Sequence, residues 1–172
     1  MDLRFVGPDL RQISSIGGEI IASCLFEDER PVRGVAGLLD WRLSARLSFH
    51  MSTGNITGAS GEKVIIPGKP RLPFEKILLF GLGKKNNFDE KAFLNTIHQI
   101  THTFGRLRVR TAVIERPGRH TGAVDAVRAT VLITEICEQH GGQDVWTLVE
   151  SVPDQKRIAQ HVEQERRRKR LR

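Results

Sequence analysis

Several groups of residues in this 172-residue chain have types and spacings that chemistry can use. Gly81-Leu82-Gly83-Lys84-Lys85 follows an aliphatic run and precedes a helical pattern. In that setting glycines let a backbone approach phosphate, and a helix amino terminus attracts anions. Gly81, Gly83, Lys84 and Lys85 are therefore the candidate ligand-binding residues. The match to known phosphate loops is incomplete, because a GxGxxG fingerprint needs glycine where Asn86 stands and Lys84-Lys85-Asn86 lacks the GK[ST] end of a P-loop. A tight strand-to-helix turn with solvated lysines accounts for the same residues. His98 and His102 have the spacing of a zinc box, but Gln99 cannot serve as its general base. At about 100° per residue both histidines turn away from the Phe93, Ile97, Ile100, Phe104 stripe, toward water. Cys24 and Cys137 form no CxxC pair and sit in apolar surroundings that suit buried side chains rather than nucleophiles, and no GxSxG elbow is present. No catalytic residue, metal or cofactor is assigned. Arg166, Arg167, Arg168, Lys169 and Arg170 make the densest charge feature, suited to nucleic-acid phosphates or an acidic partner with strong salt dependence. No aromatic platform lies beside them to read bases, and a solubilising helix end accounts for the run equally.

Charge distribution separates body from tail. Of 27 basic and 20 acidic residues, eight and three fall within Asp154–Arg172, so that segment carries +5 of the net +7 and the rest is close to neutral. The composition, 39% hydrophobic and 27% charged, fits a soluble globular protein, and the length suits one domain with a real core. No apolar run approaches the roughly 20 residues needed to span a bilayer, and MDLRFVGPDL lacks a secretory pattern. A cytoplasmic, non-membrane protein is expected.

The elements that position these groups alternate in type. Leu3 to Val6 and Glu19 to Phe26 read as strands. Val35, Leu39, Leu43 and Leu47 mark one helix, with Trp41 at the core edge. Val64 to Ile66 and Ile77 to Leu82 are continuous aliphatic runs, expected as strands covered on both faces and joined by the surface connector Gly68 to Pro73. Asn87 with Glu90 reads as a capping box for a helix buried through Phe93, Ile97, Ile100 and Phe104. Leu107 to Glu115 is expected as a strand near a sheet edge, ended by Arg116-Pro117-Gly118. Thr121 is expected to cap a helix through Gln139, Val145 to Ser151 to form a strand, and Asp154 to cap a last helix anchored by Ile158 and Val162. Residues 1–153 thus form the body and 154–172 a carboxy-terminal helix with the basic tail. The alternation predicts an α/β fold, a three-layer α/β/α sandwich around a mixed, mostly parallel sheet.

The segments PVRGVAGLLDWRLSARLS and TGASGEKVIIPGKPRLPFEKILLFGLGKKNNFDEKAF resemble the amino-terminal domain of the leucyl aminopeptidase family, peptidase family M17. That domain has a Thr-Gly-x-x-Gly-Glu turn, here Thr57-Gly58-Ala59-Ser60-Gly61-Glu62, an aliphatic strand, and a strand closing in Gly-x-Gly, here Gly81-Leu82-Gly83. The resemblance runs from about Gly17 to Gln139 and implies a macro-domain-like fold. The family's two-metal peptidase centre lies in a separate carboxy-terminal domain marked by an Asn-Thr-Asp-Ala-Glu-Gly-Arg-Leu box and a catalytic lysine, and no stretch here matches either. The expectation is a non-catalytic binding or assembly module with a protein partner, a second copy of itself, or nucleic acid held by the tail. The alternatives are a macro-domain-like binder or hydrolase of ADP-ribose or a related nucleotide, and a piece of a longer aminopeptidase.

Overall fold

Runs of β-branched and aliphatic residues, each too short for a buried helix, become strands once helices cover both their faces. The computed structural model describes residues 2–170. Six strands, β1 (Asp2–Val6), β2 (Gly18–Phe26), β3 (Lys63–Pro67), β4 (Phe74–Gly83), β5 (Thr111–Glu115) and β6 (Val145–Val149), form one sheet in the order β1-β6-β5-β2-β4-β3. All neighbours are parallel except β3, which runs antiparallel to β4. The helices are α1 (Leu10–Ile16), α2 (Gly34–Arg42), α3 (Arg46–Ser52), α4 (Glu90–Leu107), α5 (Ala126–His140) and α6 (Val152–Arg170).

Two apolar layers hold the sandwich. On one face α4 and α5 pack Phe93, Ile97, Ile100, Phe104, Ile133 and Ile136 against Ile20, Leu78, Phe80, Ile114, Trp146 and Leu148. On the other, Ile13, Val35, Leu39 and Leu47 from α1, α2 and α3 cover Ile21, Leu25, Ile77, Leu79 and Val113. The α4 stripe is fully buried at all four expected positions, each contributing roughly 1.5–3 kcal/mol of transfer free energy. The expected three-layer architecture with a mixed, mostly parallel sheet is the observed one.

Several local expectations are corrected. The helix expected from Arg33 through Leu47 is two helices, because Ser44 and Ala45 adopt φ of 58° and 61° between α2 and α3. Asp40 bridges the break, its carboxylate accepting from the Leu47 amide at 2.7 Å. The apolar register survives the break, since Leu43 and Leu47 stay buried. Trp41 is not at the core edge: it is 74% exposed. Val64 to Ile66 is an edge strand with Ile65 facing water, not a strand covered on both faces. The run Leu107 to Glu115 is divided, Leu107 ending α4 and only Thr111–Glu115 forming a strand, which lies inside the sheet between β2 and β6. Acidic residues later in the chain take the capping roles expected of Asn87 and Thr121: Asp89 accepts from the Ala92 amide, and Asp125 from the Val127 amide. The last helix starts at Val152 rather than after Asp154, where the Ser151 hydroxyl accepts from the Asp154 amide and donates to its carboxylate. Helix α1, introduced by Asp9 accepting from the amides of Arg11 and Gln12, went unread in the sequence.

Candidate functional site

In an open α/β sheet, ligands enter beyond the carboxyl ends of adjacent strands whose connections leave to opposite faces. Here that point lies between β2, followed by α2 on one face, and β5, followed by α5 on the other. Its chemistry comes from residues that end the strands or follow them directly.

Glu115 ends β5 and is 4% exposed. Its carboxylate accepts from the Ser23 hydroxyl at 2.6 Å and from the Val35 amide at 3.0 Å, with the Arg119 guanidinium at 3.5 Å. Val35 lies in the first turn of α2, so a side-chain carboxylate occupies the helix end where an anion would bind. Gly34 makes this possible: at φ +64° it has no side chain, and a Cβ would stand 2.3 Å from Glu115 Oε1. The next residue, Arg116, is also buried and pairs at 2.5 Å with Glu150, which follows β6; it donates as well to the Val124 carbonyl at 2.5 Å. Burial pushes the Glu150 carboxyl above its ordinary range even with that guanidinium beside it.

A second layer closes over β2 and β4. Phe26, the last residue of β2, meets Phe88 and His120 edge-to-face at centroid distances of 5.5 and 5.8 Å. Glu29, in the loop after β2, receives Lys85 Nζ at 3.3 Å and His120 Nε2 at 2.9 Å, tying together the loops after β2, β4 and β5. The Lys85 amide donates to the Asp28 carboxylate at 2.9 Å.

Gly81, Gly83 and Lys85 lie at this edge of the sheet, and their donors are engaged within the chain. The Gly81 amide donates to the Glu62 carbonyl at 2.8 Å and the Gly83 amide to the Gly58 carbonyl at 2.9 Å. Gly81 admits the Thr57–Glu62 turn against β4, since a Cβ there would stand 2.0 Å from the Ala59 carbonyl oxygen. The Glu62 carboxylate completes the turn by accepting from the Thr57 and Gly58 amides. Lys84 is exposed. The basic run is not brought near: α6 starts at the strand ends and leads away, so Arg166 lies roughly 20 Å along the axis at about 1.5 Å per residue. Arg167 and Arg168 are exposed and paired within the helix to Glu163 and Glu165, at 3.0 and 2.9 Å. Lys169 and Arg170 lie in α6, their side chains outside what the structure describes.

His98 and His102 face solvent on α4, and the His98 ring rests 5.5 Å from that of His140. Among the described residues no three His, Cys, Asp or Glu side chains are grouped to hold a metal ion. Cys137 is buried and Cys24 half-buried. Burial pushes the Cys24 thiol well above its ordinary range, with the Glu115 charge adding to it. Sequence reasoning passed over Glu115, Arg116, Glu150, Glu29 and His120, reading the first two as a strand end and turn. The available signal was a carboxylate and a guanidinium directly following the apolar strand Thr111–Ile114.

This is a macro-domain-like α/β/α sandwich whose sheet is laced by ion pairs along the carboxyl ends of its parallel strands. The fold matches that of an Oceanobacillus iheyensis macrodomain with ADP at a TM-score of 0.70, with 13% identity over 96% of this chain and 92% of that one. It also matches a tomato leucine aminopeptidase variant at 0.63, with 12% identity over 92% of this chain and 35% of that one. Residues 24–138 match the model of the cytosol aminopeptidase family, N-terminal domain, and the chain belongs to that family. A probable cytosol aminopeptidase of Thermosynechococcus vestitus is 30% identical over 114 residues, 65% of this chain and 23% of the relative. A second, from Idiomarina loihiensis, is 30% identical over 117 residues, again 23% of its length. The chain thus spans less than a quarter of the curated relatives it matches. No described helix is long and apolar enough to cross a membrane.

Proposed function

We propose that this domain works as a non-catalytic binding or assembly module, acting through its surface rather than through a ligand crevice. The carrying observation is the Glu115 carboxylate seated on the amino terminus of α2. An incoming phosphate needs such amides free; here that amide, and those of Gly81, Gly83 and Lys85, already have acceptors in the chain. Two carboxylates at this edge already hold its basic groups, Glu115 the Arg119 guanidinium and Glu29 both Lys85 and His120. These features favour assembly over nucleotide recognition. The macrodomain with ADP shares the fold alone, and fold alone does not carry function. The relatives' peptidase activity belongs to proteins of which this chain matches a minor part. Titration calorimetry with ADP-ribose tests the reading: no heat is expected, and saturable binding would overturn it in favour of a nucleotide module.

A further inference from the structure

On one side the sheet ends in β3, whose outer flank no other described strand pairs. The Gly81 amide donates to the Glu62 carbonyl at 2.8 Å and the Gly68 amide to the Glu75 carbonyl at 3.1 Å, so the even-numbered residues of this strand bond inward to β4. Lys63, Ile65 and Pro67 therefore turn their main-chain groups outward, an open row of N–H and C=O groups in which only Pro67 lacks a donor. Ile65, at the centre of the row, is 51% exposed. Each face of this flank has its own cleft. Toward α4, a space of about 380 Å³ is lined by Lys63, Ile65, His102, Arg106 and the half-buried Leu107. Toward α3, one of about 270 Å³ is lined by Arg46, His50, Ile56 and Ile66. Among the described residues neither cleft has a carboxylate in its lining, and Arg46, Lys63 and Arg106 form no ion pair.

An open row of main-chain donors and acceptors is completed by another extended chain, whose successive side chains point alternately to the two faces of the sheet, here into the two clefts. The unpaired cations on both faces call for acidic side chains on that chain. A second copy does not supply them, because two β3 strands set edge to edge would bring one group of cations against the other. Lys63 and Pro67, at the ends of the row, discourage indiscriminate pairing and leave selection to the side chains. We infer that β3 is a docking edge for an acidic extended segment of another protein, which joins the sheet beside Ile65 and sets its carboxylates against Lys63 and Arg106 on one face and Arg46 on the other. The inference rests on the binding-module reading above and gives the chemistry of its partner.

Fluorescence anisotropy with a labelled short peptide alternating glutamate and valine tests this. Saturable binding that weakens as salt is added is expected, and a peptide alternating lysine and valine should not bind. Arg106→Glu should lower the affinity about tenfold. Ile65→Pro deletes the outward N–H at the centre of the row, leaves the inward bonds of Val64 and Ile66 in place, and should lower the affinity by at least about tenfold. Ile65→Thr keeps that N–H and should lower it less. Because Ile65→Pro could also disturb folding, the wild-type chain is titrated in parallel with the glutamate peptide N-methylated at every residue, which should not bind. No binding of the unmodified glutamate peptide overturns the inference, as does binding that survives both Ile65→Pro and N-methylation. Tighter binding of a single-stranded oligonucleotide, lost in Arg106→Glu, overturns it by assigning the cations to phosphates. Dimerisation lost in Ile65→Pro overturns it by assigning the edge to a second copy. Heat in the ADP-ribose titration leaves the Ile65→Pro comparison unmoved, and a silent peptide leaves the ADP-ribose result standing, so the two readings fail separately.

Discussion

Replacing Glu115 by alanine tests whether one carboxylate organises the carboxyl edge of the sheet. The change strips two buried donors, the Ser23 hydroxyl and the Val35 amide, of their acceptor. Each orphaned donor costs about 1–3 kcal/mol, giving roughly 2–6 kcal/mol together. Arg119, whose buried Nε lies 3.5 Å from this carboxylate, loses its counter-charge and adds to the cost. For a chain of this length each kcal/mol lowers the midpoint by about 2–4 °C, so calorimetry should show a fall of roughly 5–20 °C. Glu115→Gln keeps an acceptor for the amide and should lose less. Ser23→Ala, which removes one donor and leaves the carboxylate on the helix end, should cost about 1 kcal/mol. The ranking Glu115→Ala, then Glu115→Gln, then Ser23→Ala is the diagnostic. A Glu115→Ala variant within about 1 kcal/mol of wild type in urea would refute the role given to this residue.

Gly81→Ala would force the Thr57–Glu62 turn off β4, because the new Cβ would stand 2.0 Å from a backbone oxygen; a loss of roughly 3 kcal/mol or more is expected in denaturant titration. Gly105→Ala is its control: within α4, with nothing inside 4 Å of the added methyl, it should stabilise by about 0.5–1 kcal/mol. Burial pushes the Cys137 thiol up to about 12, from an ordinary value of 9.0, so iodoacetamide at pH 8 should leave it unlabelled in the native chain and label it in urea. Between those values the unfolded chain sheds this proton while the folded one keeps it, so the stability it confers, full below pH 9, drains as pH rises toward 12. Rapid native labelling of Cys137 would contradict that burial.

Elements whose burial is periodic were legible from sequence. The α4 stripe from Phe93 to Phe104 and the runs of β2 and β4 follow from hydrophobic spacing alone, and α5 and β6 differ only at their ends. Spacing does not report which neighbour a strand has, so β5 was expected at an edge and β3 in the interior, the reverse of the sheet order. Nor does it register a break that preserves the apolar face, as Ser44 and Ala45 do between α2 and α3. The site was less legible. Charged residues are read as solvated by default, yet Arg116 and Glu150 are buried because they satisfy each other, and Glu115 because the Ser23 hydroxyl and the Val35 amide donate to it, all across wide sequence separations. The Gly81 to Lys85 turn was placed correctly at a strand-to-helix junction, whereas which acceptors its amides meet depends on tertiary contacts with Glu62, Gly58 and Asp28.

The pairing of the first strand with the last has a consequence for how the chain folds. Among the described residues β1 pairs with β6 alone, Asp2 opposite Val145 and Val6 opposite Val149, so this strand waits for one more than 130 residues further along the chain. Closing so long a loop before any contact rewards it makes this a late and slow event. Until β6 is in place, β2, β4 and β5 assemble around α4 with the flank of β5 open, a transient strand edge able to pair with another chain. Shortened forms ending before Val145 would hold that edge open permanently, and aggregation rather than a smaller native domain is their expected fate.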